Sequence, residues 1–422
     1  MRSSVLLLTR AAAACSGEPD VFADAGADAP GTDAPGTDAP STDAPVEVDG
    51  PGARGPVTVH VLTRAGDGLP DLVATVYVAD PDGTVVSQAM PDATGVVNAT
   101  VAEGGSVTVR HGGGNQPVLT TVFAVGIGDE LWFGRNGSNP VTTMTVALPA
   151  AAGSTRYNVR GPCVFGEGNT PTLTVQLVPG CAATVNLLAM ASGGTAPVRH
   201  IVVPTVTPTA GTTLTVPGPW AAPPSMAWSA SGIPVGATSI SASITVLEDA
   251  RITLGFVAAQ TPGEPLGLTT ALPAYGDSAL LNVAYRSNVY YLDVRHVSPV
   301  PTSASVMVAP RVPAITSVSV GPTALWTLAG AGTPDLIAID ADELGEKGEP
   351  LGSWRFLAPP APGSVRVPAI AGAPTPTDAR ARVFDTDVVP DYAALRERVG
   401  LGEWAGTIPP SAPLFAQQSS MY

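Results

Sequence analysis

The densest group of side chains that could do chemistry is the stretch IDADELGEKGEP, residues 339–350. Its five carboxylates belong to Asp340, Asp342, Glu343, Glu346 and Glu349. Paired carboxylates can act as acid and base in glycoside hydrolysis, and converging carboxylate oxygens can bind calcium. An EF-hand loop beginning at Asp340 would need a carboxylate at its twelfth position, where the sequence has Leu351. A solvated acidic loop is therefore the favoured interpretation, and a hydrolase with a carboxylate site is an alternative.

Residues that commonly build other catalytic sites lack the required spacing. The four histidines, His60, His111, His200 and His296, lie far apart in the chain, and no HExxH motif occurs. The nearest approach to a serine nucleophile elbow, GDSAL at residues 276–280, has Leu280 where the tight turn needs glycine. The only lysine, Lys347, is preceded three positions earlier by Leu344 rather than by serine. We therefore expect no catalytic residue, no metal ligand and no cofactor, and we expect His60 to face solvent from an alternating strand.

Tryptophan side chains offer another kind of site, because their flat rings can stack on apolar ligand faces. The six tryptophans are Trp132, Trp220, Trp228, Trp326, Trp354 and Trp404. Trp220 follows Gly and Pro in the loop-like segment GPW, residues 218–220, where exposure is feasible. Carbohydrate binding at the cell surface is therefore an alternative function, and packing in the core is the alternative role of each ring.

The charge distribution argues against nucleic acid as a partner. The chain has 422 residues and a formal net charge of −15, and residues 16–50 contribute nine acidic residues and no basic one. Binding to a phosphate backbone needs clustered cations, and the sequence has no such cluster. The sequence also has no apolar run long enough for a membrane helix.

The N-terminus has the features of an export signal that ends at a cysteine. Arg2, an apolar run at residues 5–8 and four alanines at residues 11–14 precede Cys15. This segment resembles a bacterial lipoprotein signal, in which the cysteine is acylated after cleavage, although Arg10 interrupts an apolar region shorter than the usual ~7 to 15 residues. The resemblance implies a signal peptide at 1–14 and lipidation of Cys15; the alternative is an unprocessed cytosolic start.

The segment after Cys15 has the composition of a tether. The unit Asp-Ala-Pro recurs every five residues, with Asp28, Asp33, Asp38 and Asp43. Regular proline favours an extended backbone, and the aspartates repel one another and stay solvated. We predict a disordered tether over residues 15–55 that would hold a folded body away from a lipid-anchored cysteine.

The two remaining cysteines, Cys163 and Cys181, are an even pair. In an oxidising compartment an even pair favours a disulfide, here closing a loop around the alternating run TPTLTVQLV. Such a loop would add about 3 kcal/mol of stability. Two buried free thiols are the alternative. A zinc site is disfavoured because no CxxC motif occurs.

The folded part of the sequence has the pattern of antiparallel β-structure. The 46 glycines and 44 prolines disfavour helices, while short alternating runs such as VTVHVLT (57–63) and SVTVR (106–110) are separated by turn sequences such as DPDG and PDATG. We predict an all-β chain with two to three β-sandwich modules in tandem, at 56–150, 151–248 and 249–422. One helix is predicted in PDYAALRERVG, with Asp391 as N-cap and Gly400 after its end.

The run from VTVHVLT to VVNATV resembles a carboxypeptidase regulatory-like module, also called transthyretin-like, and is close to bacterial Ig-like modules. The carrying features are the first strand, Gly68-Leu69-Pro70, the Asp82-Gly83 hairpin and the turn from Asp92 to Gly95. The resemblance implies a structural or adhesive β-sandwich without catalytic residues. Leader, tether and cysteine pair together also resemble surface lipoproteins of large-genome bacteria. We therefore expect an exported, lipid-anchored, non-enzymatic protein of the cell envelope, at the outer membrane or cell surface, with a protein or glycan ligand.

Overall fold

The computed structural model describes residues 52–63, 69–112, 116–134, 142–177, 184–193, 198–234, 237, 239–248, 251–258, 266–286, 290–308, 312–386, 391–399 and 415–421. The predicted signal peptide, Cys15, nearly all of the predicted tether and Cys181 lie outside these residues. Within the described ranges, no helical segment has the length and hydropathy that crossing a bilayer requires.

The first module is a sandwich of two sheets made from seven consecutive strands. The strands are β1 (Arg54–Leu62), β2 (Thr75–Ala79), β3 (Val85–Ala89), β4 (Val96–Ala102), β5 (Gly105–His111), β6 (Val118–Val125) and β7 (Glu130–Gly134). One sheet has the order β4-β1-β7, and the other contains the run β6-β5-β2-β3. β1 pairs with β4 antiparallel and with β7 parallel.

The second module repeats this strand order. Its strands are β8 (Thr142–Ala147), β9 (Arg156–Arg160), β10 (Val164–Gly168), β11 (Thr172–Leu177), β12 (Val185–Ser192), β13 (Arg199–Val206) and β14 (Thr213–Thr215). They form one seven-stranded sheet of order β13-β12-β9-β10-β11-β8-β14. The order is that of the first module, except that the third and fourth strands of the second module, β10 and β11, are joined by hydrogen bonds.

The third module repeats the order again, as two separate sheets. Its strands are β15 (Ser225–Ser231), β16 (Ser239–Glu248), β17 (Arg251–Ala258), β18 (Leu266–Ala271), β19 (Ser278–Arg286), β20 (Tyr290–Val297) and β21 (Ser303–Met307). The orders β18-β15-β21 and β17-β16-β19-β20 match the first module strand for strand. The parallel pair is again between the first and last strands, β15 and β21.

The fourth module is a variant of the same arrangement. It comprises β22 (Ala314–Val320), β23 (Thr323–Ala329), β24 (Leu336–Leu344), β25 (Pro350–Ala358), β26 (Ser364–Arg366), β27 (Asp378–Thr386), the helix α1 (Tyr392–Val399) and β28 (Phe415–Met421). Its sheets have the orders β22-β23-β26 and β28-β27-β24-β25. β22, which precedes β23 in a hairpin, occupies the position that the last strand takes elsewhere, so this pair is antiparallel.

One sheet continues through three modules. Its twelve strands have the order β17-β16-β19-β20-β28-β27-β24-β25-β6-β5-β2-β3. The third and fourth modules meet at the antiparallel pair β20 and β28, and the fourth and first modules meet at the parallel pair β25 and β6. The edges of individual sandwiches are thereby covered by backbone hydrogen bonds from their neighbours, which leaves fewer unpaired strands.

Alternation of apolar and polar residues explains why these segments are strands with one buried face. In β1, Val57, Val59 and Val61 are buried in the core of the first module, while Thr58 and His60 between them are half-buried on the opposite face. Each module has its own cluster of buried residues of this kind. Burying these side chains supplies the main stabilisation of the fold.

The predicted turn chemistry is confirmed at the β2–β3 and β3–β4 connections. Gly83 and Gly95 have φ angles of +86° and +83°, which residues with a Cβ rarely adopt. Asp82 accepts a hydrogen bond from the Thr84 amide at 2.8 Å, and Asp92 accepts one from the Thr94 amide at 2.8 Å. These bonds fix the reversal of the chain between successive strands.

The all-β class and the tandem antiparallel β-sandwiches are confirmed. The predicted helix forms, with the Asp391 carboxylate accepting the Ala394 amide at 3.0 Å; Gly400 lies outside the described residues. The strand order repeats four times, and residues 248/249 lie in the hairpin between β16 and β17; the division into modules at 56–150, 151–248 and 249–422 stays a prediction.

Candidate functional site

The acidic stretch that the sequence singled out lies on β24 and on the turn that leads into β25. Ile339 and Ala341 point into the core of the fourth module, so Asp340 and Asp342 lie on the opposite face of the sheet. That face is apolar at one end, where Leu336 and Ala338 join the core of the first module, and charged at the other. The alternation of β24 therefore separates the carboxylates from the core of the fourth module, and their position further along the strand separates them from the core of the first module.

Two arginines neutralise Asp340. Arg355 on β25 donates from Nε to one carboxylate oxygen at 2.6 Å, and Arg382 on β27 donates from Nη2 to the other. Burial by itself would raise the pKa of Asp340, but the two guanidinium groups outweigh burial and hold it below its usual range. An aspartate whose two oxygens each accept a hydrogen bond from a guanidinium group is held as a structural anion.

The other carboxylates of the stretch point to different partners. Glu343 accepts a hydrogen bond from the Thr375 amide at 3.1 Å, and Glu349 accepts one from the Lys347 amide at 3.0 Å. Burial and the neighbouring Asp340 raise the pKa of Asp342. Across the part of the chain that the structure describes, no group of three or more His, Cys, Asp or Glu residues could hold a metal ion. The carboxylates thus do not converge on one point, which disfavours a hydrolase site here.

The histidines lie in separate places. Nδ1 of the buried His111 lies 3.2 Å from Oδ2 of Asp71. His200 is buried and pairs with Ala221 in an isolated β-bridge, and His296 is buried on β20. His60 projects from β1 on the face opposite the core, as predicted, and its Nε2 lies 2.8 Å from Oε1 of Glu130 on β7.

The outward face of the sheet β4-β1-β7 carries the arrangement best suited to contact a ligand. The imidazole ring of His60 stacks on the indole of Trp132, with ring centroids 3.8 Å apart and planes 4° from parallel. On the other side of β1, the hydroxyl of Thr58 donates to the amide oxygen of Asn98 at 3.3 Å. We call these five residues, Thr58, His60, Asn98, Glu130 and Trp132, the His60 face.

The His60 face has unused hydrogen-bonding capacity. The Glu130 side chain is 57% exposed, Asn98 is exposed, and Trp132 is half-buried. The indole N–H of Trp132 has no protein partner among the described residues and is not buried from solvent. The face therefore offers a flat aromatic group, a carboxylate, an amide and an indole donor side by side.

Trp220, the tryptophan that the sequence favoured for sugar stacking, packs on its own module. Its indole N–H donates to the backbone oxygen of Pro149 at 3.0 Å, and its ring is tilted against Tyr157 at 6.3 Å. Trp228, Trp326 and Trp354 are buried, and Trp404 lies outside the described residues. The sequence did contain a signal for Trp132, because Leu131 and Phe133 on either side of it are apolar, so period-two alternation directs Trp132 outward.

Of the three cysteines, Cys163 alone lies within the described residues. It follows β9 and is buried in the core of the second module. Because Cys15 and Cys181 lie outside the described residues, the lipid anchor and the disulfide stay predictions.

No family model and no curated protein sequence matches the chain. Among solved structures, it is similar to the major pilin subunit of Bacillus cereus at 8% identity over 61% of this chain and 99% of that chain, with a TM-score of 0.18. It is similar to a pilus adhesin of Lactobacillus rhamnosus GG at 12% identity over 73% of this chain and 44% of that chain, with a TM-score of 0.16. It is also similar to two B repeat units of the collagen-binding protein of Staphylococcus aureus at 9% identity over 82% of this chain and 97% of that chain, with a TM-score of 0.13.

Proposed function

We propose that the chain is a non-enzymatic, exported protein of the bacterial cell envelope that displays tandem β-sandwiches for structural or adhesive binding. The observation that carries this proposal is the repetition of one seven-strand arrangement, with three of the modules joined through a single twelve-stranded sheet. Repeated modules fused by backbone hydrogen bonds suit a load-bearing or display role, because separating them requires breaking a whole ladder at once.

The arrangement of polar groups supports a role without catalysis. The densest carboxylate cluster is held by Arg355 and Arg382, and the histidines are dispersed over three modules. Polar side chains of this kind serve to stabilise the sandwiches and to present surface, which is what an adhesive or structural module needs.

Attachment to a membrane is the second part of the proposal, and it depends on the sequence. The small-residue run before Cys15 and the acidic Asp-Ala-Pro repeat behind it fit a lipid-modified cysteine followed by a solvated spacer. With Cys15 acylated, the folded modules would stand away from the outer membrane or cell surface and could reach a protein or glycan ligand.

Metabolic labelling with a fatty acid tests the anchor. The full chain, expressed in a bacterium with its own leader, should incorporate label and fractionate with membranes, and the Cys15→Ser variant should do neither. Cys163→Ser is the matched control, because it also removes one thiol but leaves the leader unchanged. Label that persists in Cys15→Ser would refute lipidation at this position.

Adhesion is tested separately from anchoring. Cells that display the chain should bind to immobilised matrix proteins or polysaccharides more strongly than cells that do not express it. Equal adhesion to every surface by cells with and without the chain would refute an adhesive role while leaving the anchor intact.

Carbohydrate binding at the His60 face is a second candidate, favoured by the half-exposed ring of Trp132 beside His60, Glu130 and Asn98. A sugar ring could stack on the aromatic pair while its hydroxyl groups bond to the polar side chains. A glycan array probed with the full chain should give signals that Trp132→Ala removes. Leu351→Ala, which removes a 44% exposed side chain in another module, should leave the signals unchanged. An array without signals, or equal signals from both variants, would exclude this face as a glycan site.

A further inference from the structure

The strand β3 ends the twelve-stranded sheet in the first module. It pairs with β2 on one side, and no described strand pairs with its other side. Residues 86–89 of β3 are exposed, as is Met90, which follows it. A strand in this position presents a row of backbone N–H and C=O groups to solvent.

The chain already joins modules through edges of the same kind. β25, which in the fourth module takes the place in the sheet that the third strand takes in the other modules, receives β6 of the first module along its outer edge. β3 is the third strand of its own module, so it is the topological equivalent of β25 with its outer edge unpaired among the described strands.

The pairing of β20 with β28 shows that identical positions can pair with each other. Both take the place in the sheet that β6 takes in the first module, and they pair antiparallel over six residue pairs, from Tyr290↔Ser420 to Arg295↔Phe415. Two copies of one strand related by a two-fold axis meet in the same antiparallel way, so a like-with-like pair is a geometry that this fold accepts.

β3 has neither of two features that commonly protect edge strands. Its sequence, VVSQA, has no charge and no proline. In contrast, the edge strand β13 contains Pro204, and its His200 is bridged to Ala221. Proline and charge commonly prevent edge-to-edge pairing, so β3 is less protected than β13.

Exposed apolar side chains accompany β3. Val73, just before β2, and Met90, just after β3, are 62% and 63% exposed, and the register Val76↔Ala89 places them at the same end of the hairpin. Val86 and Leu72 are also exposed. Apolar groups beside an open strand edge can be covered by a partner strand and its side chains.

We propose that β3 is a self-association site, where β3 of a second copy pairs antiparallel with it around Ser87 and extends the twelve-stranded sheet across a two-fold axis. The pairing would bury Val86 and Met90 from both copies. Because the contact is short, the dimer would be weak in solution and favoured where a membrane concentrates the chains.

Sedimentation velocity of the full chain over a wide range of concentration tests this proposal. The protein should pass reversibly from monomer to dimer. In Ser87→Lys and in Ser87→Glu, like charges would face each other across the axis, so each variant alone should have a dissociation constant about fivefold higher or more. An equimolar mixture of the two variants should recover dimerisation, because opposite charges then meet.

Thr100→Lys is the control, since Thr100 is an exposed residue on β4, the edge of the other sheet in the same module. It should dimerise like the parent chain. A parent chain that stays monomeric at all concentrations would overturn the proposal. So would a dimer that Ser87→Lys leaves intact, or one that Thr100→Lys weakens as much as Ser87→Lys does.

Discussion

The hydroxyl oxygen of Tyr392 lies 2.8 Å from the backbone carbonyl oxygen of Phe123. It also lies 2.9 Å from the carbonyl oxygen of Leu357. Phe123 belongs to β6 and Leu357 to β25, the parallel pair that joins the first and fourth modules. Tyr392, the first residue of α1, therefore binds both strands at the junction between modules.

Removing this hydroxyl should weaken the junction. Burial strongly raises the pKa of Tyr392, so the phenol is neutral and donates its proton to one of the two carbonyl oxygens. Tyr392→Phe should lower the free energy of unfolding by about 1 to 2 kcal/mol, measured by chemical denaturation. Tyr77→Phe, at a half-buried tyrosine for which the structure shows no hydrogen bond among the described residues, is the control and should be close to neutral. Equal losses of unfolding free energy in Tyr392→Phe and Tyr77→Phe would contradict a stabilising hydrogen bond from the Tyr392 hydroxyl.

The second contact of α1 at this junction is an ion pair between Arg396 and Asp129. Arg396 Nη2 donates to Asp129 Oδ1 at 2.8 Å, its Nε lies 2.6 Å from Oδ2, and its Nη1 donates to the carbonyl oxygen of Ala124 at 2.6 Å. Both side chains are mostly buried, so removing either partner leaves a charge in a poorly solvated place.

A double-mutant cycle with Arg396→Met and Asp129→Asn measures this contact. Each single variant should lose about 1 to 3 kcal/mol of unfolding free energy, and the double variant should lose less than the sum. Raising the salt concentration should change the coupling little, because partly buried pairs are screened weakly. Strictly additive losses would mean that the two side chains do not interact in solution.

Asp340 and Asp342 lie two residues apart on β24 and should respond oppositely to the same substitution. The pKa of Asp340 is lowered in the folded state. The ionised carboxylate therefore contributes its full stabilisation above the usual pKa of 3.8, and this stabilisation is lost as the pH falls below 3.8. The pKa of Asp342 is raised, chiefly by burial, so its ionisation opposes folding at neutral pH, and this cost disappears as the pH falls through the raised pKa.

Asp340→Asn should therefore lower the free energy of unfolding at neutral pH, by about 1 to 3 kcal/mol, and Asp342→Asn should increase it. Denaturant titrations between neutral and acidic pH should show that the difference in free energy of unfolding between each variant and the parent chain shrinks as the pH falls. A loss of stability in both variants would contradict the opposite electrostatic environments of the two carboxylates.

The predicted disulfide between Cys163 and Cys181 can be tested without a structure. Exported protein should gain about 2 Da on reduction if one bridge is present. Cys163→Ala should abolish this mass shift. The unreduced variant should unfold at a lower denaturant concentration than the parent chain, because its free energy of unfolding is lower by about 2 to 4 kcal/mol. An unchanged mass on reduction would show that both cysteines are free thiols.

Much of the local structure could be predicted from the sequence because its causes are local. Alternation in VTVHVLT placed Val57, Val59 and Val61 inside and His60 outside, and the Asp82-Gly83 pair fixed a turn that needs a positive φ at glycine. Asp391 marked the start of α1 through its own hydrogen bond to the Ala394 amide. These features depend only on residues that lie a few positions apart in the sequence.

The candidate site was predictable only in part. The sequence pointed to the carboxylates at 339–350 and to Trp220, but it could not show that Arg355 and Arg382 reach Asp340 from two other strands or that Trp220 bonds to Pro149. The partners lie 15, 42 and 71 positions away, and their meeting depends on strand register. Stacking of His60 on Trp132 is likewise a property of the parallel pair β1 and β7.

The sequence by itself determined that the chain is all-β, where its strands reverse, and which side of each strand is apolar, since side-chain alternation and turn residues act locally. Only the tertiary structure decided that β6 joins β25, that β20 joins β28, and that β3 is left at the end of the sheet. The physical reason is that every strand edge offers the same backbone donors and acceptors. Which edges meet is therefore set by the packing of whole modules and by clamps such as Tyr392 and Arg396.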